Sequence, residues 1–308
     1  MRRALACVAL IASVGCGATL APAPERVRPS GPTPTFLHAP RDFFVRVDCA
    51  SVRGTPIAPE VTELWQSASI FAQLSRGGTF DPVRDLDAVV ASTSASSRWR
   101  VVLRHHQDAR AMLARMAQGT GQPLVWRGGQ GIASAILPGE RTSDAPYAVV
   151  LTAEHEAVIA PRDEIDAVVA IARDQDARRG ATSDAIEPAL GAPLGELVRI
   201  EMATPPQLLE SIGVTNVRGV LVRSGQGAAI HVELDFPTPS QAHGFVEAAG
   251  PMLAQIARNP MMSSLGLSRA VATTQLAERD VRATIDAQVG FEELRALLHA
   301  LASFGGGN

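Results

Sequence analysis

The 308-residue chain contains no lysine; all 28 of its basic residues are arginine. Every mechanism that needs a lysine amine is thereby excluded, including Schiff-base chemistry, the phosphate-cradling lysine of a P-loop and Ser-Lys dyads. Cysteine is nearly as scarce, with Cys7, Cys16 and Cys49 alone. The zinc spacings H-E-x-x-H and C-x-x-C are missing, and so is the G-x-S-x-G elbow of Ser-His-Asp hydrolases. Beyond the first fifteen residues no apolar run approaches the length of a membrane span. The formal charge of −3 becomes −5 if Arg2 and Arg3 leave with a leader, a balance that speaks against nucleic acid as a partner.

What is present begins with MRRALACVALIASVGC: two arginines, an apolar run from Ala4 to Val14, then Gly15-Cys16. A positive start, about ten apolar residues and a small residue at the cut define a secretory signal peptide, too short to span a bilayer as a stable helix. Two cleavage schemes compete. The A-x-A match Ala21-Pro22-Ala23 would leave Pro24 just after the cut, a position that blocks the ordinary peptidase. The other scheme cuts before Cys16. Ser13-Val14-Gly15-Cys16 resembles the lipobox of bacterial lipoproteins, with Ser13 where that motif prefers leucine. The resemblance implies that Cys16 carries a diacyl or triacyl (palmitate-type) lipid, supplying the two or more chains that stable anchoring requires. By the same resemblance Gly17, in place of aspartate after the cysteine, points to the outer membrane. The expected partner is then the membrane itself, through the N-terminal lipid.

Residues 1–15 are therefore expected to be a signal peptide and 16–40 a lipid-anchored tether. Prolines at 22, 24, 29, 32, 34 and 40 leave that stretch without apolar periodicity, so it should be extended. At about 3.1 Å per residue it reaches roughly 70 Å. With Cys7 removed and Cys16 acylated, Cys49 stands alone, and stability must come from the core rather than from a disulfide.

The pattern from Asp42 to Arg53, DFFVRVDCASVR, predicts a strand with Phe43, Val45, Val47 and Cys49 on one face and Phe44, Arg46, Asp48 and Ala50 on the other. Cys49 then reads as a buried, inert hydrophobe. Pro59 opens a helix whose stripe is Val61, Leu64, Trp65, Ala68 and Phe71. Strands are predicted at LDAVVAS and WRVVLRHH. Two stretches then run alike, Arg100–Gly131 and Leu197–Gly227, each strand, helix closing at glycine (Gly119 or Gly213), strand, and an R-x-G-Q-G turn. Both continue through an alternating strand and a hairpin into a one-sided helix, RDEIDAVVAIAR or FEELRALLHALASF. The second copy adds PSQAHGFVEAAGPMLAQIAR, read as interrupted at Pro251. These features predict an α+β fold of two related halves, residues 41–175 and 195–304, joined by a linker at 176–194. Each half is expected to be an antiparallel sheet with helices packed on one face. The body as a whole resembles uncharacterised duplicated α+β lipoproteins and exported proteins of bacteria, a resemblance that supplies no activity.

The GQG turns, Gly129-Gln130-Gly131 and Gly225-Gln226-Gly227, are not phosphate loops, because a strand follows where a helix is needed and the third glycine is missing. The candidate metal set is His105 and His106 at a strand end with Glu154 and His155 at a hairpin tip, two imidazoles and a carboxylate if the ends adjoin. Adjacent strand residues face opposite sides, which opposes convergence of His105 with His106. His231 alternates with Ile230 and Val232, beside Glu233 and Asp235, and so faces away from the core. Asp81, Asp85 and Asp87 lack calcium-loop spacing, and Asp81-Pro82 reads as a turn opening. The functional expectation is a non-catalytic envelope lipoprotein with no cofactor, binding or bracing a protein or small molecule. The alternative is a metal-dependent enzyme or metal-binding protein using His105, His155 and nearby carboxylates.

Overall fold

The computed structural model describes residues 36–37, 42–67, 80–93, 98–106, 111–112, 114–115, 118, 125–129, 132–137, 147–153, 155–181, 195–205, 207–257 and 268–305. The expected signal peptide, Cys16 and the tether before Phe36 lie outside the described residues, as do Glu154, Gln130 and Gly131. The chain divides into two compact units. One takes Pro29–Ala50 with Trp65–Ala192, the other Ser51–Leu64 with Pro193–Asn308.

In the N-terminal unit, β1 (Phe43–Asp48) is followed by α1 (Cys49–Arg53), where the alternation had predicted a longer strand. Its more deeply buried side carries Phe44 and Arg46 rather than Phe43 and Val45. Cys49 is fully buried, its Sγ 3.9 Å from the Val47 carbonyl, now at a helix start instead of a strand end. Next come α2 (Ala58–Ser67), most of which belongs to the other unit, and the single turn α3 (Pro82–Asp85). Asp81 caps α3, accepting from the Val83 and Arg84 N–H groups at 3.0 and 3.2 Å, with Pro82 in the first turn where its missing N–H costs nothing. The strands β2 (Ala88–Thr93), β3 (Trp99–Arg104), β4 (Arg127–Gly129), β5 (Ile132–Ile136), β6 (Tyr147–Ala153) and β7 (Glu156–Pro161) complete the sheet, in the order β1-β2-β3-β7-β6-β5-β4. Every pairing in it is antiparallel.

Register explains the core of this unit. Val90 lies opposite Val102, Val102 opposite Val158, and Val158 opposite Val150, so four valines form one row across four strands. All four are essentially inaccessible, and α4 (Ile165–Ala181), reached through a 3-10 turn at Arg162–Glu164, lays Val168 and Ala172 in the same cluster. Phe36 and Leu37 join it too, so the two apolar residues near the end of the proline-rich stretch belong to the body. Burying such side chains is worth about 1.5–3 kcal/mol each.

The C-terminal unit holds β8 (Glu196–Met202), the short α5 (Gln207–Glu210), β9 (Asn216–Ser224), β10 (Gly227–Asp235), α6 (Pro239–Ala257), α7 (Ser268–Thr273), β11 (Gln275–Arg279), β12 (Arg282–Gly290) and α8 (Phe291–Gly305). Its sheet order is β8-β9-β10-β12-β11, again antiparallel throughout. Ile230, Val232 and Leu234 alternate into the core with Ala283, Ile285 and Ala287 beside them, and α6, α7 and α8 pack on β12. The helix α6 runs through Pro251, which lies on its exposed side, where an interruption had been expected. Gly290 closes the sheet and opens α8, its N–H held by Glu293 Oε2 at 2.7 Å, the carboxylate half of a capping box.

The strand orders align the units differently from the sequence. In each unit a three-stranded meander is followed by a hairpin that docks its second strand beside the meander: β1-β2-β3-β7-β6 and β8-β9-β10-β12-β11. A helix follows the hairpin in both, α4 and α8. The R-x-G-Q-G turns are accordingly not equivalent. Gly225 sits inside the C-terminal meander, between β9 and β10, whereas Gly129 ends β4, in a hairpin added at the far edge of the other sheet. Both stretches look alike because any tight hairpin rewards a glycine: Gly225 has φ +56°, the positive φ that a two-residue turn with glycine first requires.

Candidate functional site

The alternation that buries one face of the C-terminal sheet puts a charged set on the other. Asn216 and Arg218 from β9, His231, Glu233 and Asp235 from β10, and Arg282 and Asp286 from β12 fall into register. Arg218 lies opposite Glu233, Asp235 opposite Arg282, and His231 opposite Asp286. Opposite charges placed directly across strands stabilise a sheet.

The contacts go beyond simple pairs. Arg218 and Arg282 each bridge both carboxylates of β10: their Nη1 atoms lie 3.2 and 3.0 Å from Glu233 Oε2, while Arg218 Nη2 and Arg282 Nε donate to Asp235, the latter at 2.7 Å. Asn216 Nδ2 adds a third donor to Asp235 at 3.0 Å. Burial pushes the Asp235 carboxyl up, but the hydrogen bonds from Arg282 and Asn216 and the charge of Arg218 outweigh it and hold the group below its ordinary value. Beside this box, His231 Nδ1 is 2.7 Å from Asp286 Oδ1 and its Nε2 is 3.7 Å from Glu233 Oε1. The hydrogen bond to Asp286 raises the imidazole's pKa against the opposing effect of burial, aided by the charges of Asp286 and Glu233. Two guanidiniums face three carboxylates, so the patch is neutral when His231 is protonated and carries one negative charge when it is not.

This arrangement holds charge in place. Asp235 and Glu233 are both occupied by guanidiniums, and His231 is the group on this face whose ordinary pKa lies between 5 and 8. The outward placing of His231 beside Glu233 and Asp235 follows the sequence reading; the partnership with Asp286 and the two bridging arginines needed the register.

The histidine candidates come together only in part. The His105 and His155 rings meet edge to face, centroids 5.9 Å apart, and the His105 backbone N–H donates to the His155 backbone carbonyl at 3.1 Å. His106, two residues beyond the end of β3, points elsewhere, its Nδ1 2.9 Å from Asp87 Oδ1. Among the described residues no group of three or more His, Cys, Asp or Glu side chains is placed to hold a metal ion.

Three buried carboxylates with cationic partners have no counterpart in the sequence pattern. Asp85 is buried and accepts from Arg84 at 2.9 and 2.8 Å and from Arg115 at 2.8 Å. Glu196 and Arg199 pair at 3.1 and 2.6 Å. Strict alternation would set residues three apart on opposite faces, but a register shift between Glu196 and Val198 brings them to the same side. Glu60 of α2 meets Arg295 and His299 of α8. No local sequence pattern signals any of these.

No protein-family model matches the chain, and no curated protein matches it in sequence. Solved structures of TP0453, a Treponema pallidum lipoprotein, are similar to it. Crystal form I shares 13% identity over 85% of this chain and 94% of that one, with a TM-score of 0.45. Form III shares 10% over 94% and 97%, with a TM-score of 0.49. Form IV shares 11% over 84% and 92%, with a TM-score of 0.48. Nothing of TP0453's chemistry carries to this chain at that distance. Among the described residues no helix is long and apolar enough to cross a membrane.

Proposed function

We propose that the chain is an envelope lipoprotein, held at the outer membrane by lipid on Cys16, whose α+β body binds or braces a partner and performs no catalysis. The observation that carries this reading is the run Met1–Cys16, an arginine-led apolar segment ending in Ser13-Val14-Gly15-Cys16. The charged sheet face is in keeping with it. Glu233 and Asp235 are clamped by Arg218 and Arg282, and Asp286 is paired with His231. A patterned, half-exposed set of paired charges suits recognition, where charge complementarity fixes register and partner choice. We read the common strand order of the two units as the trace of a duplication, with β1 equivalent to β8 and α4 to α8.

Fractionation of cells expressing wild type and Cys16→Ser tests the anchor. Wild type is expected in the membrane fraction after a high-salt wash and the variant in the soluble fraction; retention of the variant would remove the reading. Metal analysis of tag-free protein tests the non-catalytic part, and stoichiometric zinc would replace it with the His105/His155 alternative.

A further inference from the structure

The N-terminal unit contains an open cleft of about 470 Å³ lined by Arg98, Tyr147, Arg162 and Asp163. Arg98 directly precedes β3, Tyr147 opens β6, and Arg162 and Asp163 begin the turn into α4, so three elements converge there. Arg98 spends both terminal nitrogens on Asp163, Nη1 at 3.0 Å, and its Nη2 lies 3.4 Å from Glu164. Arg100 Nε donates to Glu164 at 2.6 Å. Those two arginines and two acids balance. Arg162 is exposed and has no acidic partner among the described residues, so three guanidiniums face two carboxylates and one positive charge is left over. The Tyr147 hydroxyl accepts the Trp99 N–H at 3.3 Å, which leaves its own proton to donate. The tyrosine ring and the arginine stems supply an apolar wall.

We propose that this cleft binds a small monoanion, a carboxylate joined to an apolar or aromatic body. The single surplus charge sets the valence, and an unspent guanidinium offers the fork that matches a carboxylate's two oxygens. The Tyr147 O–H supplies a further donor, and the body lies against its ring. The volume falls within the roughly 300–1,000 Å³ of small-molecule sites. This inference goes beyond the anchored-lipoprotein reading and does not depend on it.

The test is fluorine NMR line broadening of para-fluorophenylacetate by the purified full chain, compared with the neutral para-fluorophenylethanol and with inorganic phosphate as competitor. Saturable binding of the acid is expected, with the alcohol at least about tenfold weaker. Arg162→Gln should weaken the acid about tenfold or more while leaving the unfolding midpoint unchanged, because the side chain is exposed. Tyr147→Phe, which keeps the ring, should weaken it severalfold, and Asp163→Asn, which releases Arg98, should tighten it. Equal binding by wild type and Arg162→Gln, equal binding of acid and alcohol, competition by phosphate as strong as by the acid itself, or no saturable binding at all would each overturn the proposal.

Discussion

Arg295 Nε donates to Glu60 Oε1 at 2.8 Å, joining α8 to α2 across 235 positions of sequence. Glu60 is 4% exposed, and its other oxygen, Oε2, is buried without a hydrogen-bond partner. His299 Nε2 stands 3.4 Å from Oε1. Burial pushes this carboxyl up, yet the hydrogen bond from Arg295 and the charges of Arg295 and His299 outweigh that and hold it below its ordinary value.

Removing Arg295 should therefore cost more than a surface substitution. Arg295→Ala leaves the buried carboxylate without its hydrogen-bond donor, and a clear loss of stability is expected. Arg295→Ala with Glu60→Gln should recover part of it. Because the folded pKa is depressed, the pair's contribution is present above about pH 4.5 and is lost as pH falls through the folded value. Urea unfolding of wild type and the two variants between pH 3 and 7 measures this; an Arg295→Ala midpoint equal to wild type would contradict it.

His231 gives the opposite slope. Its pKa is raised in the folded state, so its contribution is fully present below the unfolded value of about 6.5 and disappears as pH rises through the folded pKa. Asp286→Asn removes the principal cause and should flatten stability over that window, as should His231→Asn. His243, raised likewise by Glu278, remains in both variants and supplies the residual slope. NMR titration of the His231 ring should place its midpoint above 6.5 in wild type and lower in Asp286→Asn. An unmoved midpoint would dissolve the link between the two residues.

Two glycines of one hairpin should respond differently. A Cβ on Gly227 would sit 2.3 Å from the Val289 carbonyl oxygen, so Gly227→Ala must push β10 off β12, and a loss of about 1–3 kcal/mol is expected. A Cβ on Gly225 meets nothing within 4 Å, and Gly225→Ala carries only the strain of φ +56°, about 1–2 kcal/mol. Hydrogen exchange separates the cases: the β10–β12 ladder should lose protection in Gly227→Ala alone. Equal protection in the two variants would refute the distinction.

The elements that the sequence makes legible are those whose pattern is local. Tyr147–Pro161 reads as a hairpin because both arms are apolar around a polar tip, and the helices after it carry one-sided stripes. Ile230-His231-Val232-Glu233-Leu234-Asp235 shows its charged face by alternation alone. Pairings between distant segments leave no such trace. Glu60 and Arg295 are ordinary surface-type residues in their own helices, and the bulge that unites Glu196 with Arg199 reverses what alternation predicts. The GQG turns misled for a related reason: a glycine turn reports local φ, not which strands lie beyond it, so Gly129 and Gly225 matched in spelling while occupying different places in their sheets. Trp65, expected at the centre of a buried stripe, is half-buried, and the deeper side of α2 carries Glu60 and Val61 close to its start, with Ile57 just before it.

Lipidation of Cys16 is decided by mass spectrometry of the N-terminal peptide from membrane-extracted protein. The expected result is a mature chain that begins at Cys16 and carries the mass of two or three acyl chains, with that species missing from Cys16→Ser. A mature terminus at Pro24, or an intact leader with unmodified Cys16, would contradict it.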